Sequence, residues 1–171
     1  MRHEAWLDLL PADPRPALLA SPERSARFVT LTRVLGRPED DPEVRAARAA
    51  VVSDPGTAEL GKTLPAWAPG LTFGGHNSPA FPPNLLRLLH GLGVRAGDFP
   101  VIERMLDAML GHQADDGRFL TPGGTTGKDA AWASLPCDHL AILEVLLRFD
   151  RSGAPQVAAG TPVYYLDPGA P

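Results

Sequence analysis

Apolar residues in Val101-Ile-Glu-Arg-Met-Leu-Asp-Ala-Met-Leu110 fall at positions 101, 102, 105, 106, 109 and 110. Pairs recurring every four residues form one stripe along a helix, so this segment is predicted to be amphipathic and to bury that stripe. Asp98 is placed to cap its start, and Gly111 follows its last apolar residue. The stretch from Asp138 to Phe149 is apolar along most of its length, interrupted by Glu144 and Arg148, which predicts a helix buried on most sides. Asn84 to Leu92 reads the same way, with Pro82 and Pro83 where a first turn tolerates proline.

Toward the N-terminus, Ser21-Pro22-Glu23 has the form of a helix start. The helix runs through Phe28, Val29, Leu31, Val34 and Leu35 to Gly36. Asp41-Pro42-Glu43 repeats the signal for a second helix through Val44, Ala47 and Val51. Two long segments, roughly 64–82 and 113–136, are rich in Gly, Pro and aromatic residues and lack periodicity. Loops of that length in a compact domain usually carry function.

The helices recur. Asn84 to Gly93, followed by Pro100, aligns with His139 to Arg148, followed by Pro155, at an offset of 55 residues. Phe28 to Gly36, followed by Pro42, aligns with the first of these, Gly36 meeting Gly93 at 57 and Pro42 meeting Pro100 at 58. The unit is a helix, a short turn and a second helix opened by proline. A chain of such units is an array of antiparallel helical hairpins, none able to bury its apolar face alone. The expected fold class is all-α within a single helical-repeat domain. Hairpin 1 covers about 22–53, hairpin 2 about 83–112, and an incomplete hairpin 3 about 137–160, with an irregular tail over 161–171. After Pro155, Gly160 and Pro162 stop the second helix early.

Composition narrows the partners. Sixteen Lys and Arg against 20 Asp and Glu give a net charge of −4, without the basic footprint that nucleic acid or an anionic membrane surface requires. A single Cys in 171 residues excludes an intramolecular disulfide and a Cys-only zinc site. The first ten residues are too short and too charged for a signal peptide, and no apolar run reaches membrane-spanning length, so a cytoplasmic location is expected.

Gln113-Ala-Asp-Asp-Gly117-Arg-Phe119, just after a helix, resembles the Gln-x3-Gly-x-Trp element of squalene-cyclase-type repeats, with Phe in place of Trp. Ser25-Ala-Arg-Phe-Val-Thr-Leu and Leu35-Gly-Arg-Pro-Glu-Asp-Asp-Pro-Glu-Val44 look like the opening of bacterial squalene-cyclase-like or prenyltransferase-like proteins. The resemblance covers roughly residues 15–150. It implies an α/α toroid of alternating inner and outer helices, here shortened to a partial one. The Asp-x-Asp-Asp acid of protonating triterpene cyclases has its nearest counterpart in Pro38-Glu39-Asp40-Asp41, which lacks the first Asp. Asp41 reads as the cap of the Pro42 helix. In the resembled repeat, Gln113 would cap a helix end over a tight turn at Asp115 and Asp116, with Phe119 packed beneath.

Cys137-Asp138-His139 is the densest group of ligand-type side chains. Protein prenyltransferases, which share the toroid, hold zinc through Asp, Cys and His. Consecutive residues opening a helix diverge by about 100°, which disfavours one ion on all three. The competing reading makes Asp138 a helix cap and Cys137 a small buried hydrophobe. No cofactor is expected, with zinc on Cys137 and His139 as the alternative. Gly123-Gly-Thr-Thr-Gly-Lys128 fails as a phosphate loop, because Pro122 and Asp129 occupy the wrong positions and no strand precedes it. Leu64 to Phe81 brings Trp67, Phe73 and His76 into one Gly/Pro-rich loop. Together with Phe119, Trp132 and Cys137 these are the expected lining of an aromatic cavity for a hydrophobic ligand, isoprenoids being one candidate class. No catalytic residue is identifiable. The alternative is a non-catalytic helical-repeat module that associates with a partner protein or its own copy through the C-terminal hairpin, where Val163-Tyr-Tyr-Leu166 forms an apolar strip.

Overall fold

The computed structural model of the protein describes residues 5–122 and 132–161. The chain is mostly helical, with eight α-helices and a small two-stranded sheet among the described residues. In order these are α1 (Arg15–Leu19), α2 (Arg24–Val29), α3 (Pro42–Val52), α4 (Pro55–Lys62), α5 (Pro82–Leu92), α6 (Pro100–Leu110), β1 (Thr121–Pro122), β2 (Trp132–Ala133), α7 (Pro136–Arg148) and α8 (Pro155–Gly160). No helix among the described residues is long and apolar enough to cross a membrane.

The helix starts follow simple chemistry. Six helices, α3 to α8, open on proline, whose missing N–H and fixed φ suit the first turn. Asp41 accepts from the Glu43 N–H at 2.8 Å and Asp54 from the Thr57 N–H at 3.0 Å, capping α3 and α4 as short acidic side chains do. Asp98 does not cap α6. It closes a 3₁₀ turn over Ala96–Asp98 by accepting from the Arg95 N–H at 2.7 Å, and it pairs with Arg48 at 2.5 Å, while Phe99 takes the cap position.

The helix ends share one device. α2 continues through a π turn, Thr30–Val34, to Gly36 at φ 63°, α5 ends on Gly93 at φ 106°, and α7 is followed by Asp150 at φ 60°. These left-handed positions lie 57 residues apart. Each is closed by a long backbone bond: Arg37 N–H to Leu31 O, Val94 N–H to Leu89 O and Arg151 N–H to Leu146 O, all between 2.9 and 3.0 Å. The first spans six residues instead of five because the π turn holds one more. The prolines follow these caps after turns of different length, so Pro42, Pro100 and Pro155 lie 58 and 55 residues apart where the caps lie 57 apart.

Among the described residues, two apolar clusters hold the fold together. The smaller joins Leu31, Val44 and Ala47 with Phe28 and Leu19 packed against them. The larger gathers the buried faces of α5, α6 and α7 around Leu89, Leu106, Ile142 and Leu146 and takes in Trp67, Phe81, Phe119 and Val157. α5 packs on both α7 and α4, and α2 reaches α5. The Phe28 ring fills the space where a Cβ on Gly93 would sit, 2.5 Å from its nearest atom, which joins the two clusters. α7 buries seven of its residues but leaves Leu140 and Leu147 about half exposed, so one stripe of this helix is open.

The segment between α6 and α7 is pinned at both ends. A bridge between Gln113 and Phe119 forms a tight turn at Asp115 to Gly117. Gln113 Nε2 donates to the Gly117 carbonyl at 2.7 Å and to the Gln156 carbonyl at 2.8 Å, near the start of α8. Phe119 is wholly buried against His139. β1 and β2 then pair antiparallel, Thr121 opposite Ala133.

Candidate functional site

Loop residues 71–76, strand β1 and the start of α7 enclose a cleft of about 350 Å³. That volume lies in the range typical of small-molecule sites. The loop has the local chemistry to stand where it does. Gly70, Gly74 and Gly75 take positive φ, which permits the reversals a side chain would strain. The Asn84 amide, in the first turn of α5, donates to the carbonyls of His76 at 2.8 Å and Ser78 at 2.9 Å. Phe73 rests on Phe81 with ring centroids 4.8 Å apart, and Phe81 is anchored in the core.

The cleft wall is mainly apolar, with Leu71, Phe73, Pro122 and Leu135 contributing. Four polar side chains line it, those of Thr72, His76, Thr121 and Asp138. Thr121 is buried, and its Oγ1 has no hydrogen-bond partner among the described residues. Asp138, at the third position of α7, is 5% exposed and turns its carboxylate to the cleft instead of to the helix cap, which Leu135 occupies. His76 is exposed, its Nδ1 3.9 Å from Asp138 Oδ1. Cys137 stands beside them, exposed, with its Sγ 3.7 Å from Asp138 Oδ1. The ligand atoms of His76, Cys137 and Asp138 lie within 4.8 Å of one another.

Of the six side chains expected to line a cavity, Phe73 and His76 line this cleft and Cys137 stands at its edge. Trp67 and Phe119 belong to the core, at 4% and 0% exposure. Trp67 faces a second, separate cleft beside Val101 and Met105. Trp132 stacks on His112 at 3.6 Å between centroids, with His112 Nδ1 fixed on the Ala108 carbonyl at 2.8 Å. Thr121 is absent from the residues expected to line a cavity, and Asp138 enters the sequence reading within the ligand-type group Cys137-Asp138-His139, with a helix cap as the competing reading. Nothing in the local pattern shows that the hydroxyl of Thr121 loses its partner.

His139 turns away from Cys137 into the core. Its Nδ1 accepts from the Phe119 N–H at 2.9 Å, so the ring proton sits on Nε2, 3.2 Å from the Gly160 carbonyl. Burial pushes its pKa below the ordinary histidine value, with Arg118 acting in the same direction, against the opposing bond to Gly160. Both ring nitrogens are engaged in holding Phe119 and α8. Burial likewise lowers the pKa of His90, helped by Arg148 and Arg33.

No protein family, curated protein or solved structure matches this chain. The chemistry of the site therefore rests on its own geometry. The Gly123–Lys128 segment and the Val163–Leu166 strip lie outside the described residues.

Proposed function

We propose that the protein binds a hydrophobic ligand of the isoprenoid class, carrying a polar head, in the cleft between loop residues 71–76 and the start of α7. The observation that carries this reading is a mainly apolar wall that also holds Asp138 and Thr121, whose buried Oγ1 has no partner among the described residues. A buried hydroxyl without a partner costs about 1–3 kcal/mol; this oxygen exposes less than 1 Å², so a ligand head group recovers that cost on condition that the cleft wall opens toward it. The apolar tail then covers Phe73 and Leu135, the latter half exposed without a ligand.

The squalene-cyclase-like, partial-toroid reading is part of the same proposal. It is supported by the left-handed caps 57 residues apart at Gly36, Gly93 and Asp150, and by the bonds of Gln113 to Gly117 and Gln156 above the buried Phe119. Calorimetric titration with farnesol tests the ligand reading. Saturable binding is expected, weakened about five- to thirtyfold in Phe73→Ala by loss of ring contact. Thr121→Val should weaken farnesol more than the corresponding hydrocarbon. Absence of saturable binding, or binding unchanged in both variants, contradicts the reading.

A second reading, association through the helical face, is favoured by Leu88 on α5 and by Leu140 and Leu147 on α7, each 46–48% exposed. Light scattering on Leu140→Glu/Leu147→Glu decides it. Under this reading a wild-type oligomer becomes a monomer, and unchanged mass removes it.

A further inference from the structure

We infer that His76, Cys137 and Asp138 form a binding site for a zinc-class divalent cation. The inference does not rest on the isoprenoid reading, because it concerns the side chains at the cleft edge and needs no organic ligand.

The first support is geometric. Zinc bonds of about 2.0 Å to nitrogen or oxygen and about 2.3 Å to sulfur, arranged tetrahedrally, put ligand atoms about 3.3–3.6 Å apart. Cys137 Sγ to Asp138 Oδ1 is 3.7 Å and His76 Nδ1 to Asp138 Oδ1 is 3.9 Å. All three ligand atoms lie within 4.8 Å of one another. Closing the remaining gap takes movements of the order of 1 Å, and the His76 and Cys137 side chains, both exposed, have rotamer freedom to make them. Adjacent positions at a helix start would ordinarily diverge. Here the first turn of α7 brings the thiol and the carboxylate together, and the third ligand arrives from the 71–76 loop, which Asn84 holds in place.

The second support is electrostatic. Asp138 is more than nine-tenths buried, and among the described residues its polar contacts are the Cys137 thiol and the His76 imidazole. It makes no capping bond to the α7 backbone. A carboxylate taken out of water needs compensation, and a thiol at 3.7 Å with an exposed imidazole at 3.9 Å supplies little of it. A divalent cation coordinated by all three side chains supplies that compensation directly.

The donor set selects the metal. One thiolate, one imidazole and one carboxylate suit zinc and its neighbours and are unsuited to calcium or magnesium, which take oxygen ligands. Three protein ligands leave a fourth position open, the pattern of zinc sites that bind an exogenous group. His76 and Asp138 both line the cleft, so an ion held there borders the proposed ligand. His139 is not part of the set, since its ring nitrogens are bonded to Phe119 and Gly160.

Titration of the metal-free full chain with zinc alone, followed by a chromophoric competitor, tests the site. Stoichiometric binding is expected, with affinity falling at least about tenfold in each of Cys137→Ser, His76→Ala and Asp138→Asn. His112→Ala, distant in role and stacked on Trp132, should bind as wild type. Cobalt substitution gives an independent signature: thiolate-to-cobalt charge transfer that vanishes in Cys137→Ser. Because Cys137 and His76 are exposed, their variants keep the fold, which circular dichroism checks. The inference is overturned if wild-type protein takes up no stoichiometric zinc. It is equally overturned if Cys137→Ser and His76→Ala bind as tightly as wild type, which would leave Asp138 and His76 as a plain ion pair.

Discussion

His139 shows how one side chain can decide local structure. Its neutral ring accepts from Phe119 and reaches the Gly160 carbonyl, holding the turn before β1 and the end of α8 at once. His139→Ala is expected to cost about 2–4 kcal/mol, from lost packing and two backbone groups left without partners, measured by urea unfolding. The same residue sets a pH dependence. His139 and His90 both have lowered pKa values in the folded state. The unfolded chain, with histidine near about 6.5, then binds protons that the native state refuses. Stability should be full above about pH 6.5 and fall as pH drops through that value, and the fall should be shallower in His90→Gln. Stability independent of pH between about 8 and about 5 would contradict the assignment. Two glycines give a paired test. Gly36 and Gly93 both have positive φ, but a Cβ on Gly36 meets open space while one on Gly93 meets the Phe28 ring. Gly36→Ala should cost about 1 kcal/mol and Gly93→Ala distinctly more, since backbone strain and overpacking add.

At the scale of elements, the sequence was most informative where chemistry is local. Asp41-Pro42-Glu43 announces α3, and the capping bond is present. Asp54-Pro55 carries the same signal for α4, and Asp54→Ala should lower stability by about 1 kcal/mol. That helix escapes a reading based on apolar periodicity because Pro-Gly-Thr-Ala-Glu-Leu-Gly-Lys offers few apolar positions, and Gly61 packs directly on the Phe99 ring instead. Asp138 shows the opposite failure. Its place in the first turn of α7 suggests a cap, yet it stands at the third position with its carboxylate on the cleft, a matter of backbone entry angle. The convergence of His76 on Cys137 across some sixty residues is tertiary and leaves no trace in spacing. Asn84 is the element that fixes it, and Asn84→Ala should free the His76 and Ser78 carbonyls and weaken zinc affinity with little change in helix content, read by the same competition titration with circular dichroism.

Across the whole molecule, the short α8 acts as the closing piece for the larger cluster. Val157 is buried in it, and Gly160 lies close enough to Phe119 and His139 that a Cβ would stand 3.1–3.3 Å from both rings. Gln113 ties the turn after α6 to the same helix. The early stop at Gly160, which reads from sequence as an unfinished hairpin, thus coincides with close packing against Phe119. Gly160→Val should destabilise the protein by about 1–3 kcal/mol through overpacking, seen as a lowered urea midpoint. The same closure sets β1 beside the start of α7, and with them the floor of the cleft. The central claim, that this cleft is the ligand site, is tested most directly by backbone amide NMR during titration with farnesol. The account predicts saturable shifts concentrated at Leu71 to His76, Thr121 and Leu135 to Asp138. Shifts concentrated instead around Trp67, Val101 and Met105 at the second cleft, or none that saturate, would contradict it.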